Sequence, residues 1–254
     1  MYTYYITDKE LNNLTLYHSC SEKNIYNRDN YIIKKYNILD EDTFKKIIYL
    51  NSLNLNFTTN PTHILKVDNK YMGYVSNKKN GFVTIDKIKD NLSVTDRYDL
   101  LLKIKCYLDE LHKLGITYGN INPKSIITNG YDIYFTDIVD SKFNKYDFSI
   151  YSKEMINYQT KKGKMDYNLD NYMLNLLTIY FLNDIEYDNI LNNVINCIED
   201  YFNNKEAKEI IGVTDNFRCI NITSKMYNPS DGINELLIDN IDIKKYNEKV
   251  KRLN

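Results

Sequence analysis

The stretch Leu111-His-Lys-Leu-Gly115-Ile-Thr-Tyr118-Gly-Asn120-Ile-Asn-Pro-Lys-Ser125-Ile-Ile127 joins the end of a helix, a polar loop and the start of a strand. Upstream of it, apolar residues recur at helical spacing from residue 96 to residue 114, and Gly115 follows where a helix C-cap belongs. Downstream, Asn129-Gly130 lies between two short apolar runs and is a strong hairpin signal. We therefore expect a long helix, a loop and a β-hairpin in that order.

The chain before this stretch has mainly strand-like patterns, and the chain after it mainly helical ones. Strands are predicted at residues 14–17, 24–26, 31–36, 62–67 and 71–75. Asp40-Glu-Asp42 precedes apolar residues at helical spacing, which predicts one helix among those strands. Further helices are predicted at residues 170–182 and 189–202. The expected fold class is α+β.

Composition excludes several classes of protein. Apolar residues form 43% of the 254-residue chain and the formal net charge is -1, so neither disorder nor a strongly basic nucleic-acid binder is expected. Residues 1–10 lack a basic segment followed by an apolar one, and every apolar run is shorter than a membrane span, so neither secretion nor membrane spanning is expected. The cysteines lack zinc-site spacing and are expected to be reduced thiols of an intracellular protein: Cys20, Cys106, Cys197 and Cys219.

The opening stretch resembles the catalytic loop H-R-D-L-K-P-x-N-I-L of protein kinases, and Asp137-Ile-Val139 stands where that family has D-F-G. Tyr31-Ile-Ile-Lys34 looks like V-A-I-K, Ser152-Lys-Glu154 looks like A-P-E, and Leu169-Asp170 looks like the start of the next long helix. Aminoglycoside-kinase-type phosphotransferases share the loop spacing, but the last two matches favour the protein-kinase branch.

The resemblance spans about residues 10 to 240 and implies a two-lobed protein-kinase-like fold. It implies a small β-rich N-lobe of about residues 1–75 with one helix, a hinge at about residues 72–80, and a larger, mainly helical C-lobe of about residues 81–254. In such a fold, residue 120 is expected to face a cleft between the lobes.

Three positions that serve phosphoryl transfer in the family have changed chemistry. Asn120 replaces the loop aspartate, and a carboxamide is no base near pH 7. Ser125 replaces the asparagine that helps to hold magnesium, which weakens that site. Lys46 falls where a helix glutamate should pair with Lys34, so two cations are expected to face each other, with Asp42 as the nearest replacement partner. The resemblance therefore implies that no catalytic set is intact.

The nucleotide site is also altered. His18, Cys20 and Lys23 stand at the three positions of the family's glycine-rich loop, where side chains obstruct the approach of backbone N–H groups to phosphates. Lys34 and Lys23 are the candidates for phosphate contact, and Asp137 is the remaining candidate for a magnesium ligand. Binding of Mg-ATP is expected to be weak if it occurs. If the pocket is empty, Lys34 is instead a solvent-facing strand lysine, and Asp137 only hydrogen-bonds its own loop.

Two acidic residues are expected to be structural. The resemblance implies that Asp170 holds the backbone of the loop, and that Glu154 has lost its late arginine partner because Gly232 stands at the matching position. Val139 replaces a hinge-like glycine and should stiffen the chain after Asp137. Lys161-Lys-Gly-Lys164 is expected to be a solvated loop, with contact to a partner or a phosphate as the alternative.

These observations support one leading hypothesis and leave two alternatives open. The first is a catalytically inactive kinase-like protein, or pseudokinase, that binds a protein partner as a scaffold, decoy or allosteric regulator. The second is an atypical active kinase, and the third is a structural component, for example of a viral particle. The expected location is the cytoplasm, or the host cytoplasm or virion if the source is viral. The oligomeric state is left open.

Overall fold

The computed structural model describes residues 1–143, 146–160, 165–182 and 186–192, and it has mixed α+β structure. The chain divides into two compact units. Unit 1 contains residues 1–82 and 134–150, and unit 2 contains residues 83–133 together with the described residues from 151 onward. Residues 134–150, which the resemblance assigns to the second lobe, therefore pack with the β-rich first part of the chain.

Unit 1 is built on a six-stranded sheet with the order β1-β5-β6-β4-β3-β2. The bounds are β1 Tyr2–Ile6, β2 Thr15–Ser19, β3 Lys23–Arg28, β4 Tyr31–Tyr36, β5 Pro61–Val67 and β6 Lys70–Asn77. Strand β1 pairs with β5 in parallel, and the neighbouring strands after it pair antiparallel. Five of the strands overlap the five predicted ones, whereas β1 was not predicted.

One face of this sheet carries an apolar core that a short N-terminal helix covers. Tyr26, Ile33 and Val75 are cross-strand neighbours, so their side chains share this face. Helix α1 (Asp8–Asn12) places Leu11, which has no exposed surface, against them. A capping box between Thr7 and Glu10 fixes the start of this helix, because each residue satisfies a backbone N–H of the other.

Helix α2 (Glu41–Leu53) lies between β4 and β5 in the chain, where the sequence predicts a helix. The Asp40 side chain caps it by accepting a hydrogen bond of 2.6 Å from the Thr43 N–H. Ile47 and Leu50 are fully buried on its inner side.

The described part of unit 2 is mainly helical. The long helix has its apolar stripe buried as predicted, at Leu100, Ile104, Leu108 and Leu111. The helices are α3 Ile85–Ile88, α4 Val94–Lys113, α5 Lys153–Thr160, α6 Tyr167–Leu182 and α7 Tyr187–Asn192. Three short strands accompany them, β7 Val83–Thr84, β8 Ile116–Thr117 and β9 Ile126–Thr128, of which β7 and β9 pair antiparallel.

The chain returns from unit 2 to unit 1 after β9. It does so through β10 (Ile133–Phe135), and residues 134–150 continue through β11 (Lys142–Phe143). Strand β10 is the second arm of the hairpin that Asn129-Gly130 predicts.

Helix α6 lies at the centre of the described part of unit 2, since its side chains from Leu169 to Phe181 are all buried. The helix predicted at residues 189–202 is described only as far as Asn192, and its remainder lies outside the described residues. Cys20 and Cys106 are free thiols, while Cys197 and Cys219 lie outside the described part. Among the described helices, none is both long and apolar enough to cross a bilayer.

Gly73 is required by the close approach of β6 to β4. A Cβ atom at this position would lie 2.0 Å from the backbone oxygen of Lys34. We expect Gly73→Ala to lower the free energy of unfolding by roughly 3 kcal/mol, because the clash is with backbone and the strands must separate. Gly81 has φ +79 and open space where a Cβ would point, so Gly81→Ala is the matched control. It should cost only about 1 kcal/mol of backbone strain.

Urea unfolding of the two variants and the wild type checks this expectation. Equal losses of stability in the two variants would contradict a steric role for Gly73.

Candidate functional site

Strand register gathers polar side chains on the second face of the unit 1 sheet. Lys23 pairs with Tyr36 across β3 and β4, and Lys34 pairs with Tyr74 across β4 and β6. Residues that face each other across a ladder share a face, and so do residues two apart in one strand. These two lysines and two tyrosines are therefore brought together by pairing alone. All four are buried.

Two aspartates reach this face from the chain after β10. Phe135 is held between Phe57 and Thr59 by two backbone hydrogen bonds of 3.0 and 2.9 Å, which anchors the strand just before Asp137. Asp137 has the left-handed conformation, with φ 55 and ψ 28, which few residues other than glycine adopt. A single 3₁₀ turn follows, and it places Asp140 beside Asp137. Strained backbone of this kind is concentrated at functional sites.

The four charged groups form a closed cluster, which we call the charge cluster: Lys23, Lys34, Asp137 and Asp140. The Lys23 ammonium lies 2.5 Å from Asp137 Oδ1 and 2.5 Å from Asp140 Oδ2. The Lys34 ammonium lies 3.0 Å from Asp137 Oδ1. The Tyr36 hydroxyl donates to Asp140 Oδ1 at 3.1 Å, and the Thr136 hydroxyl donates to Asp137 Oδ2 at 3.2 Å. Every carboxylate oxygen of the pair thus has a donor from the chain itself.

Electrostatics favour the charged forms of Asp137 and Lys23. Burial alone would raise the pKa of Asp137, but the ammonium groups of Lys23 and Lys34 outweigh it and hold that pKa well below its usual value. Burial would likewise lower the pKa of Lys23, but Asp137 and Asp140 raise it well above the usual value. Two buried positive and two buried negative charges balance each other. Removing any one of them would leave an uncompensated buried charge.

The charge cluster includes three nucleotide-site candidates of the sequence analysis, Lys23, Lys34 and Asp137. The alternative that Lys34 faces solvent is wrong, because its side chain is only 4% exposed. Asp140 was missed, although its position three residues after Asp137 is the signal that could have found it in a tight turn. Tyr36 and Tyr74 were missed because nothing but strand register brings them to the lysines.

Lys46 does not face Lys34 as expected. Its ammonium donates to the backbone oxygens of Ser141 and Asp147, and to the Ser149 hydroxyl at 3.1 Å. Lys34 instead takes its ion pair from Asp137 rather than from an acid of α2. The Lys46 side chain is long enough to reach the segment after Asp137, where three oxygens surround its ammonium group. Lys46 thereby fastens residues 141–149 to α2.

The pH dependence of stability should report on Lys46. Burial lowers its pKa from 10.5 to about 8. Because the folded state has the lower pKa, it releases the proton first, so the wild type should gain stability as pH rises from about 8 toward 10.5. Relative to Lys46→Met, we expect a gain of about 2 kcal/mol between pH 7 and pH 10. Urea unfolding at the two pH values measures it.

Lys45→Met is the control for this experiment, because Lys45 is a neighbouring lysine whose side chain is 48% exposed. Its stability difference from the wild type should change little with pH. Parallel pH profiles for the wild type and Lys46→Met would contradict the assignment.

In unit 2, Asp170 holds the loop of residues 118–125, which we call the polar loop. Its carboxylate accepts hydrogen bonds from the N–H groups of Tyr118 at 2.8 Å and Gly119 at 2.6 Å. His112 Nε2 lies 2.8 Å from the same carboxylate, and its ring stacks on Tyr167 at 4.4 Å. Asp170 has no exposed surface. This contact to the loop backbone is the one that the resemblance implies for Asp170.

Within the polar loop, the side chains bind one another. Asn120 Oδ1 accepts a hydrogen bond of 2.9 Å from the Asn122 amide, and the Ser125 hydroxyl donates to the Asn120 backbone oxygen. Asn122 Oδ1 also accepts from the N–H groups of Lys124 and Ser125, at 2.9 and 3.1 Å. Asn122, which the sequence analysis did not single out, therefore organises the loop. The groups at positions 120 and 125 are an amide and a hydroxyl in a local network.

Glu154 has a partner in unit 2 that sequence reasoning missed. The Tyr187 hydroxyl hydrogen-bonds to the buried Glu154 carboxylate, and burial together with that carboxylate raises the pKa of Tyr187 well above its usual value. The same hydroxyl lies 3.4 Å from the backbone oxygen of Ile121 in the polar loop. Gly232 and residues 161–164 lie outside the described residues.

Replacement of Asp170 should loosen the polar loop. We expect Asp170→Ala to lower the free energy of unfolding by roughly 3 kcal/mol, because two buried N–H groups and His112 lose their acceptor. Hydrogen exchange at the amides of Tyr118 and Gly119 should accelerate. Asp132→Ala is the control, since the Asp132 side chain is 64% exposed, and it should change stability by less than about 0.5 kcal/mol. Unchanged protection of both amides in Asp170→Ala would refute this role.

The charge cluster does not fit the magnesium ion that the resemblance implies. Magnesium requires carboxylate oxygens that are free to bind it. Here both oxygens of Asp137, the sole candidate ligand from the sequence analysis, already accept from ammonium or hydroxyl groups. Among the described residues, no group of three histidine, cysteine, aspartate or glutamate side chains could hold a metal ion. His18, His63 and His112 therefore belong to no such group.

Comparison with known proteins adds no family assignment. No protein-family profile matches the chain, and no curated protein matches it.

Proposed function

We propose that this chain is a kinase-like protein that has kept the framework of the fold without phosphotransfer, and that it acts by binding a protein partner. The observation that carries the proposal is the state of the polar loop. Asp170 fixes the loop through two backbone hydrogen bonds, yet the loop presents an amide and a hydroxyl that are satisfied locally. A base for the acceptor hydroxyl is missing from positions 118–125, because the sequence there contains no carboxylate.

The architecture of each unit is consistent with this proposal. Unit 1 has a mixed sheet with helix α2 between its strands, and unit 2 is mainly helical with the buried helix α6 under the polar loop. Those are the elements that the two-lobed resemblance calls for. The lysine at position 46 also supports the proposal. It stands where an active kinase is expected to have a glutamate, and its ammonium donates to backbone oxygens instead of forming an ion pair. A scaffold can keep such a framework without catalytic groups, because its partner binds the surface that the fold presents.

An exposed aromatic group on unit 1 supports a protein partner. Tyr5 is 66% exposed and Tyr71 is 48% exposed. The Lys66 ammonium lies 5.6 Å from the Tyr5 ring centre and 4.8 Å from the Tyr71 ring centre. Phe44 packs on Tyr71 with ring centres 5.5 Å apart. Tyrosine and phenylalanine side chains are enriched in protein interfaces, where a rigid ring buries a large area at low entropic cost.

The absence of phosphotransfer is tested with purified protein and labelled ATP. With either magnesium or manganese and a mixed peptide acceptor, the wild type should transfer no label above the blank. Asn120→Asp should also stay at the blank, because Asp137 remains bound by Lys23 and Lys34. Robust transfer by the wild type that Asp137→Ala abolishes would establish the atypical-kinase alternative instead.

Binding is tested by cross-linking and capture from the source cells. The wild type should retain a partner in stable stoichiometry, and Tyr5→Ser combined with Tyr71→Ser should reduce its capture about tenfold, as loss of interface anchors does. Tyr131→Ser is the matched control, because Tyr131 is 76% exposed in unit 2. Equal capture by all three proteins would refute this surface as the binding site.

A further inference from the structure

The Lys23 ammonium holds the position that a metal ion takes between two carboxylates. It lies 2.5 Å from one oxygen of Asp137 and 2.5 Å from one oxygen of Asp140. Two aspartate oxygens converging on one cation form the core of many divalent-cation sites. In this chain the cation is attached to strand β3. The side chain of Lys23 is only 6% exposed, so the ammonium is a fixed part of the interior.

Lys34 differs from Lys23 in a way that matters for this comparison. It contacts the same oxygen of Asp137 at 3.0 Å, but within the described part of the chain no ion pair joins it to Asp140. Lys34 therefore compensates one carboxylate, whereas Lys23 bridges two. Removing either lysine leaves two carboxylates and one ammonium, but only the loss of Lys23 opens the position between Asp137 and Asp140. Removing Lys34 leaves the Lys23 bridge in place.

A second observation points to a ligand at the same place. The Tyr74 hydroxyl is fully buried and has no hydrogen-bond partner among the residues that the structure describes. Its ring centre lies 5.3 Å from the Lys34 ammonium, and the charges of Lys34, Asp137, Lys23 and Asp140 all act on it. A buried hydroxyl without a partner costs roughly 1–3 kcal/mol. Its presence beside the cluster indicates capacity for one more polar ligand, such as a metal-bound water.

We infer that Asp137 and Asp140 form a latent divalent-cation site in which the Lys23 ammonium is the built-in occupant. The lysine supplies the positive charge that a metal would bring, so unit 1 folds with its carboxylates compensated and without an external cation. This inference rests on the proposed function, since it explains how the site has become independent of magnesium. It adds Asp140 and Lys23 as a bridged pair that the family resemblance does not identify.

The test replaces the occupant and asks whether a metal ion takes its place. Lys23→Met should bind Mn²⁺ or Ca²⁺, with a rise in melting temperature of roughly 5 °C at saturating ion. Lys34→Met is the matched control and should show no such rise, because Lys23 still bridges the carboxylates. Lys23→Arg, which keeps the positive charge, should also show none. The wild type should be unaffected by either ion at about 10 mM, above the upper range of a weak protein site.

A second variant shows where the ion binds. Adding Asp140→Asn to Lys23→Met should abolish the ion-dependent rise. If Lys23→Met does not fold without a metal ion, refolding in Mn²⁺ or Ca²⁺ should recover the folded protein. Failure to recover it with both ions would overturn the inference. Equal responses of Lys23→Met and Lys34→Met, or a response of the wild type, would also overturn it.

These titrations contain neither nucleotide nor partner, so they are independent of the binding proposal. A negative result here leaves partner capture and the phosphotransfer assay unaffected. Conversely, loss of the partner surface would not alter the metal titration.

Discussion

Unit 1 depends on one interaction, the ammonium of Lys23 shared between Asp137 and Asp140. The β3 and β4 ladder presents the lysine, and the turn after β10 presents the two acids. Neither side could be buried alone, because an isolated charge in the interior costs several kcal/mol. The sheet and residues 134–150 therefore have to form together. The left-handed conformation of Asp137 is tolerated because the contacts on both of its carboxylate oxygens hold it.

The same logic governs the rest of the polar interior. Lys46 places its charge on backbone oxygens, and the Asp170 carboxylate accepts from backbone N–H groups. In both cases a side chain hydrogen-bonds to backbone groups of a segment outside the helices and the large sheet. The segment after Asp137 and the polar loop are thereby made rigid by neighbouring helices.

The long elements could be predicted from sequence because their patterns repeat. Helix α4 carries apolar residues at helical spacing, and the five predicted strands are short runs rich in β-branched and aromatic residues that polar turn residues separate. Strand β1 was missed since its sequence, Tyr2-Thr-Tyr-Tyr-Ile6, has no regular alternation of apolar and polar residues, and only Ile6 is buried. The kinase-like two-lobed arrangement stays a prediction.

The candidate site was harder to predict for a physical reason. The family resemblance grouped Lys23, Lys34 and Asp137 in one site. The partner of a long side chain, however, depends on which groups lie within its length in the folded chain. Lys46 was expected to repel Lys34 and instead lies on the oxygens of a segment far along the chain. Glu154 finds Tyr187 in the same way. Such pairings depend on tertiary distances that no local pattern encodes.

The charge balance of the cluster also constrains how this sequence can drift. Replacing any one of its four charged residues by a neutral residue leaves an unpaired charge in the interior. Such a variant is destabilised, so selection should act against it. Change is therefore expected in coordinated steps, with Lys23 and Asp140 exchanged together for neutral partners or retained together. Chains descended from the same ancestor should show these two positions varying as a linked pair, while the exposed strand β2 varies freely.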